Sequence, residues 1–199
     1  MYKLLLHDHP QEVTRKELHQ WLDELPDERR TKALRHRFLI DQVQSALAYR
    51  LLRQGLYEGY GIEGNVRLTE GPCGKPLLTD YPDLHFNLSH CRGGVICALG
   101  DEPVGVDIEQ VSAGLPDPDL CHQCFSRSET DDILHAANPA RRFLQGWTMK
   151  ESYLKLTGEG LTGEGLPHLL TPQVQEQCQW QSFEHGPLTY TVCTYRNQH

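Results

Sequence analysis

The sequence predicts an α+β fold built as two halves that join near residue 100. Short segments alternate apolar and polar side chains with a period of two, which is typical of strands, and longer segments repeat every three or four residues, which is typical of helices. The order of these segments along the chain is that of an α+β protein. At 199 residues and 38% hydrophobic content, the chain can form one large domain or two small ones around a sizeable core.

The first half is predicted to contain helices followed by strands. Thr14 with Glu17 is a capping-box pattern at the start of a helix that Pro26 interrupts. A long helix is expected over residues 27–54, with Gly55 as its stop. Strands are expected at residues 3–6, 65–69, 84–89 and 94–99, and a turn-rich loop at residues 71–76.

The second half is predicted to open on a strand at residues 104–109 and to end in a strand-rich tail at residues 169–195. A short helix is expected at residues 116–119. Ser126 with Glu129 three residues later is an N-cap pattern. Pro139 starts a helix that continues through Lys155, and two glycines follow it at positions 158 and 160.

Charge and cysteine content limit the classes of function. The net charge of -8 and the sequence pI near 5.7 disfavour nonspecific binding to nucleic acid or to an anionic membrane. We expect a cytoplasmic protein, because the N-terminus lacks the apolar region of a signal peptide and the odd number of cysteines indicates reduced thiols. The pair Cys121 and Cys124 could suggest zinc or redox chemistry, but no second ligand pair and no βαβ context supports either.

Three carboxylates are predicted to meet on a divalent metal. Asp107 and Glu109 lie two residues apart on the strand that opens the second half, so both point off one strand face about 6.6 to 7 Å apart at the backbone. Glu151 and Lys155 share a face of the later helix, and Lys150 lies beside them. Oxygen ligands favour Mg²⁺ or Mn²⁺ over zinc. A solvated strand face and a surface ion pair would also explain these residues.

Other segments could bind a phosphate. Lys75 lies in a turn that Pro76 stiffens, and Ser89 with His90 at a strand end could be a nucleophile and base or a phosphate-binding pair. No acid completes a triad and the GxSxG elbow is absent. The basic run at residues 29–37 is either a solvated helix face or a phosphate site.

Taken together, the motifs resemble those of one family. Their order along residues 74–161 is similar to that of 4'-phosphopantetheinyl transferases of the surfactin-synthetase-activating (Sfp) type. The length fits the pseudo-dimeric monomer of that family rather than its smaller trimeric holo-carrier-protein synthases. The motifs are Gly74-Lys75-Pro76, Phe86-Asn87-Leu88-Ser89-His90, Gly105-Val106-Asp107-Ile108-Glu109, Phe125-Ser126-Arg127-Ser128-Glu129 and Trp147-Thr148-Met149-Lys150-Glu151-Ser152, followed by Lys155, Gly158, Gly160 and Leu161.

The resemblance implies a fold and an activity. It implies two similar pseudo-symmetric halves, residues 1–101 and 102–199. Each half would be a small antiparallel sheet packed with helices, and the active site would lie in the cleft between the halves. The implied reaction moves the 4'-phosphopantetheine arm of coenzyme A onto a serine of an apo acyl, peptidyl or polyketide carrier protein and releases 3',5'-ADP. Partners would be that carrier protein and coenzyme A, with no nucleic acid and no membrane.

The resemblance also implies residue roles. Asp107, Glu109 and Glu151 would hold Mg²⁺, which Mn²⁺ could replace. Glu129 would be the general base for the carrier serine, and two lysines would offset charge on the diphosphate and the departing 3',5'-ADP. The implied catalytic residues are Glu129, Lys150, Glu151 and Lys155.

The implied contacts with coenzyme A come from both halves. The Gly-Lys-Pro loop would pack on the adenine, and Ser89 with His90 would contact the 3'-phosphate. Related sequences carry an arginine in the stretch where this chain has Gln44, so one phosphate or ribose contact is expected to be weaker or rerouted. The implied binding residues are Arg29, Lys32, Lys75, Pro76, Ser89, His90 and Lys155.

Two rival functions fit part of the pattern. A metal-dependent hydrolase of a nucleotide diphosphate would use the same acids and lysines but leaves the adenine-type loop and Ser89-His90 unexplained. A non-catalytic coenzyme A binding protein would not need Glu129, Lys150 and Glu151 together.

Overall fold

The computed structural model describes residues 1–112, 114, 116–160 and 163–196, so Leu161 of the last motif lies outside the described residues. It confirms an α+β protein with small antiparallel sheets. The strands are β1 (Tyr2–Asp8), β2 (Leu68–Glu70), β3 (Pro76–Leu78), β4 (His85–Cys91), β5 (Gly94–Gly100), β6 (Val104–Gln110), β7 (Cys178–His185) and β8 (Leu188–Tyr195). The helices are α1 (Arg15–Glu24), α2 (Asp27–Leu34), α3 (Leu39–Tyr60), α4 (Pro118–Cys124), α5 (Arg127–Leu134), α6 (Pro139–Thr157) and α7 (Pro172–Gln177). Short 3₁₀ turns span Pro10–Glu12, Pro72–Gly74 and Gly163–His168.

Two three-stranded sheets share one strand order. In the first sheet, β1 pairs with β5 and β5 pairs with β4, all antiparallel. In the second sheet, β6 pairs with β8 and β8 pairs with β7, again antiparallel. In each sheet the opening strand pairs with the second strand of a hairpin. A long helix, α3 or α6, lies in the sequence between the opening strand and that hairpin. The two halves therefore repeat one topology.

The two sheets meet where β4 lies beside β6, and side chains join them there. The backbone N–H of Val106 donates to Asn87 Oδ1 at 3.0 Å, and that of Ile108 donates to Ser89 Oγ at 3.4 Å. Buried polar backbone groups need such partners, and here β4 supplies them through side chains. The seam brings Ser89 next to Asp107.

Helix α6 packs directly on β6. A Cβ atom on Gly105 would lie 2.0 Å from the carbonyl oxygen of Ser152 and 2.5 Å from the backbone nitrogen of Leu156. Glycine is therefore required here for a close approach of two backbones rather than for a turn. This contact sets the distance between the acids of β6 and the side chains of α6.

Both predicted capping boxes are confirmed, but the long first helix is wrong. The structure has two helices in place of the single predicted one: α2 ends at Leu34 and α3 starts at Leu39. Gly55 lies inside α3, where a Cβ would lie 2.8 Å from Leu5 Cδ1, so it allows the helix to pack on the sheet. The stop is Gly61, whose φ of 67° gives the left-handed cap that glycine favours.

Three smaller boundaries also differ from the prediction. The strand expected at residues 65–69 is only the three-residue β2. The helix expected at residues 116–119 begins at Pro118, because Asp117 caps it through the N–H of Asp119, and runs on as α4. The strand-rich tail also contains α7, which the side chain of Thr171 caps.

Five cysteines, at positions 97, 121, 124, 178 and 193, are buried and contribute to packing, whereas Cys73 is exposed. Cys121 and Cys124 are buried against Phe125 and Ile133 in a small apolar cluster of the second half. A larger core lies between α1, α3 and the first sheet, and another lies between the two sheets. Among the described helices, none is both long enough and apolar enough to span a bilayer.

Candidate active site

A cleft of about 300 Å³ lies between the two halves. The turn before β3 and strand β4 form one wall, and the last two turns of α6 form the other. Several residues singled out in the sequence therefore meet here. The lining residues are Cys73, Gly74, Lys75, Pro76, Asn87, Leu88, Glu151, Leu154, Lys155, Gly158 and Gly160.

Asp107 is the centre of a polar cluster next to this cleft. Ser89 Oγ donates to Asp107 Oδ1 at 2.8 Å, and Lys155 Nζ lies 2.6 Å from the same oxygen and 2.8 Å from Ser89 Oγ. The alternative explanation of a solvated strand face is wrong for Asp107, which is only 4% exposed. Helix α6 covers this part of β6 because Gly105 lets the backbones touch. Ser89 is buried as well, and its hydroxyl is already engaged.

The three acids repel one another in a partly desolvated site. Burial, and then the charge of Asp107, raise the pKa of Glu109 to about 7, with a further contribution from Glu151. Burial and the charge of Asp107 also raise the pKa of Glu151, while Lys155 opposes both shifts. Such coupling requires carboxylates close together with too little positive charge between them.

Two oxygens of this cluster are buried without a hydrogen-bond partner among the described residues, namely Asp107 Oδ2 and Glu151 Oε1. Buried carboxylate oxygens are normally paired or bound to a metal, and oxygen donors suit a hard divalent cation. Within the described residues, however, no three His, Cys, Asp or Glu side chains form a ready-made metal site. The positive charge next to Asp107 is that of Lys155.

Replacing Glu109 with Gln should stabilise the metal-free protein at pH 8 much more than at pH 5. The folded-state pKa near 7 lies above the ordinary 4.5. The cost of ionising Glu109 is therefore absent below the ordinary value, grows as the pH rises, and is complete above the folded-state value. After allowance for partial exposure, we expect Glu109→Gln to raise the free energy of unfolding by about 1 to 2 kcal/mol at pH 8.

Urea unfolding of both proteins in a chelating buffer at the two pH values measures this difference. An equal gain at both pH values, or a loss at pH 8, would contradict the raised pKa of Glu109, and with it the burial and the neighbouring acids that cause it. Gln keeps the shape of Glu, so packing is unchanged between the two proteins.

Lys150 lies inside the second half rather than in the cleft. It is 1% exposed, and its Nζ donates to the carbonyl oxygens of Cys124 at 2.9 Å and Leu166 at 2.8 Å and to Glu129 Oε2 at 3.1 Å. The ammonium also lies 4.5 Å from the ring centre of Phe125. Burial lowers its pKa, which the pairing with Glu129 opposes. This lysine joins the end of α4, the start of α5 and the 3₁₀ turn after α6.

Glu129 is likewise not among the residues that line the cleft. Its carboxylate accepts from the N–H of Ser126 at 2.8 Å in the predicted capping box and pairs with Lys150. It lines a different cavity of about 290 Å³, beside Met149 and Trp180. The structure thus brings Glu151 and Lys155 together with the Lys75 loop, and keeps Glu129 with Lys150.

Lys75 closes one end of the cleft. Its Nζ donates to the carbonyl oxygen of Leu156 at 3.0 Å, and burial lowers its pKa. Next to it, Cys73 Sγ lies 3.6 Å from the carbonyl oxygen of Glu159. The loop of the first half is therefore attached to the carbonyl end of α6 and to the segment that follows it. The last carbonyls of a helix are unpaired within it and attract a cation.

His90 lies at the edge of the same region, where β4 ends. Partial desolvation and then the charge of Lys155 lower its pKa, and Asp41 and His36 also act on it. Sequence analysis missed Asp41 and His36 as neighbours of this site. Only the position of His36 within the basic run could have indicated it.

The other basic candidates, Arg29 and Lys32, lie on α2. Arg29 lies 5.2 Å from the ring centre of Tyr49, burial lowers its pKa, and its buried Nε has no partner among the described residues. Lys32 is exposed one turn later. Gln44 is buried and donates to the carbonyl oxygen of Cys91 at 2.6 Å, so it ties α3 to the end of β4.

Comparison with known proteins identifies the family. The model of the 4'-phosphopantetheinyl transferase superfamily matches residues 103–193. The chain is 35% identical to the 4'-phosphopantetheinyl transferase psf-1 of Bacillus pumilus, over 90% of this chain and 83% of that protein. The chain belongs to the 4'-phosphopantetheinyl transferase superfamily. This transferase is also 30% identical to the 4'-phosphopantetheinyl transferases Sfp of Bacillus subtilis (strain 168) and gsp of Aneurinibacillus migulanus, over 75% and 81% of its length and 67% and 68% of theirs.

Enzymes of this superfamily transfer a phosphopantetheine group to carrier proteins. The match of the family model to residues 103–193 spans β6 and α6, which supply Asp107, Glu109, Glu151 and Lys155. The family resemblance in the motifs is therefore confirmed for this phosphopantetheinyl transferase.

Proposed function

We propose that this enzyme transfers the 4'-phosphopantetheine arm of coenzyme A to a serine hydroxyl of an apo acyl, peptidyl or polyketide carrier protein and releases 3',5'-ADP. The observation that carries the proposal is the cleft, where the Lys75 loop of the first half faces Glu151 and Lys155 of the second. In this proposal residues 1–101 contact adenine and the 3'-phosphate, and residues 102–199 supply the catalytic groups. One chain contains both walls, so we propose a monomer.

The proposal includes Mg²⁺, with Mn²⁺ able to replace it, held by Asp107, Glu109 and Glu151. It is supported by the oxygen-only donors and by the raised pKa values of Glu109 and Glu151. It is also supported by the buried oxygens of Asp107 and Glu151 that have no partner within the described part of the chain. When bound, such a cation neutralises charge on a diphosphate.

The side chains of the chain itself supply binding and orientation. The ammonium of Lys155, which donates to Asp107, would also donate a hydrogen bond to the diphosphate. It would then stabilise the charge that develops on the leaving 3',5'-ADP. Lys75 and Pro76 would pack on the adenine, since they line the cleft. We propose His90, Arg29 and Lys32 as contacts of the 3'-phosphate, and the buried Nε of Arg29, which has no partner among the described residues, supports an anion there. Ser89 would join them by giving up its hydrogen bond to Asp107.

Two carboxylates are candidates for accepting the proton of the carrier serine. Glu151 lines the cleft, but the proposal assigns its carboxylate to the cation, which would lower its affinity for a proton. Glu129, the base that the family resemblance implies, pairs with Lys150 and lines the other cavity. Because Glu129 is not assigned to the cation, it remains in the proposal as the proton acceptor, acting through water.

Incubation with Mg²⁺, coenzyme A and several apo carrier proteins tests the proposed function. We expect one carrier to gain the mass of one phosphopantetheine arm and an equal amount of 3',5'-ADP to appear in solution. A hydrolase would instead release 3',5'-ADP without any carrier, and a coenzyme A binding protein would yield no product. Unmodified carriers in every mixture would refute the transferase activity.

A further inference from the structure

The junction between α2 and α3 presents exposed apolar side chains next to exposed basic ones. Leu34 and Phe38 are 51% and 60% exposed, high values for large apolar residues. Arg35 and Arg37 alternate with them and are exposed too, and the Arg37 guanidinium lies 5.5 Å from the ring centre of Phe38. Clustered exposed apolar residues commonly mark an interaction site. We call residues 34–38 the junction patch.

The junction patch is positively charged in a chain of net charge -8. Two other arginines of the first half are paired with acids, Arg30 with Asp23 and Arg50 with Glu24. Among the described ion pairs none involves Arg35 or Arg37. The patch therefore has free positive charge around an apolar centre, which complements an acidic surface with an apolar residue.

The junction patch also adjoins the candidate active site. His36, at its centre, acts electrostatically on His90, and its carbonyl oxygen accepts from Gln42 Nε2 at 2.8 Å. Gln44 then fixes the same end of α3 to Cys91 at the end of β4. A protein bound on the patch would thus lie beside the strand that supplies Ser89.

We propose that the junction patch is a docking surface for the carrier protein, and that its occupant is a helix with acidic side chains around an apolar one. This inference rests on the proposed function, which requires a protein substrate beside the cleft. Phe38 and Leu34 would cover the apolar side chain, and Arg35 and Arg37 would face the acidic ones. Charge pairs at the rim would mainly speed association, whereas the apolar contact would slow release.

Two variants separate the apolar and the charged contributions. Phe38→Ser removes the ring. Phe38 is the N-cap of α3, and Ser is favoured at that position, so the helix should not be weakened. Arg35→Glu with Arg37→Glu reverses the charge. For each variant we expect the KM for the carrier to rise roughly tenfold or more, with the KM for coenzyme A unchanged. The carrier KM of the natural protein should rise with added salt, and this dependence should shrink in the charge-reversed variant.

Matched controls are Tyr57→Asp, at a side chain 59% exposed on α3, and Arg15→Glu, at an exposed arginine of α1. Both should leave the carrier KM unchanged. A carrier KM unchanged in both patch variants overturns the docking surface while leaving the proposed function intact. A raised KM for coenzyme A instead would assign the patch to the nucleotide and also overturn it. Failure of the natural protein to modify any carrier would overturn the proposed function itself.

Discussion

Replacing Asp107 with Asn should lower the rate of phosphopantetheine transfer at least about a hundredfold. The carboxylate of Asp107 lies at the centre of the site. Ser89 and Lys155 contact one of its oxygens, and the other has no partner among the described residues. Asn keeps the volume of a side chain that is buried, but it removes the charge that orients Lys155 and that a divalent cation needs. The rate is measured by mass spectrometry of the carrier at saturating coenzyme A.

Asp101→Asn is the matched control for this variant. Asp101 is exposed in the turn before β6, where it accepts from the hydroxyl of Tyr60 at 2.8 Å, so transfer should be unaffected. Thermal unfolding adds a readout independent of activity, because Mg²⁺ should raise the melting temperature of the natural protein but not that of Asp107→Asn. If Asp107→Asn transfers at the natural rate, Asp107 is not part of the catalytic site.

Replacing Lys150 with Met should lower the free energy of unfolding by about 3 kcal/mol or more. The side chain is buried, and its ammonium satisfies the carbonyls of Cys124 and Leu166 as well as Glu129. Met fills much of the same volume but leaves these acceptors without a donor. Urea unfolding measures the loss.

Lys16→Met, at an exposed lysine of α1, controls for the substitution itself and should change stability little. Combining Lys150→Met with Glu129→Gln should cost less than the sum of the two single changes, because the two side chains share one interaction. If Lys150 acted only on the diphosphate, its loss would slow transfer and leave unfolding unchanged.

The contrast between Lys150 and Lys155 shows what the sequence could and could not predict. Both were expected beside the diphosphate because both lie near Glu151. Five residues correspond to about 140° around a helix axis, so the two lysines cannot face the same cleft. Periodicity correctly predicted Glu151 and Lys155 on one face, whereas the partners of Lys150 come from segments that no local pattern relates to α6.

Local signals predicted element starts better than their ends. Thr14 with Glu17 and Ser126 with Glu129 cap helices as expected, because both partners of a capping box lie within four residues. Gly55 and Gly61 are the same residue type, so the sequence alone does not show which of them ends α3. The packing of Gly55 against Leu5 and Leu99 shows that it is a contact inside the helix. The burial of Asp107 was missed for the same reason, since it depends on the approach of α6 at Gly105.

The seam between the sheets limits how this enzyme could change its substrate. Asn87 and Ser89 hold the halves together through the backbone of β6, and the same Ser89 binds Asp107 and Lys155. A substitution at Ser89 would therefore disturb the union of the halves and the chemistry at the same time. Substitutions that give the enzyme a new partner without both effects are therefore expected on the outer surface, where one residue can change without disturbing the seam.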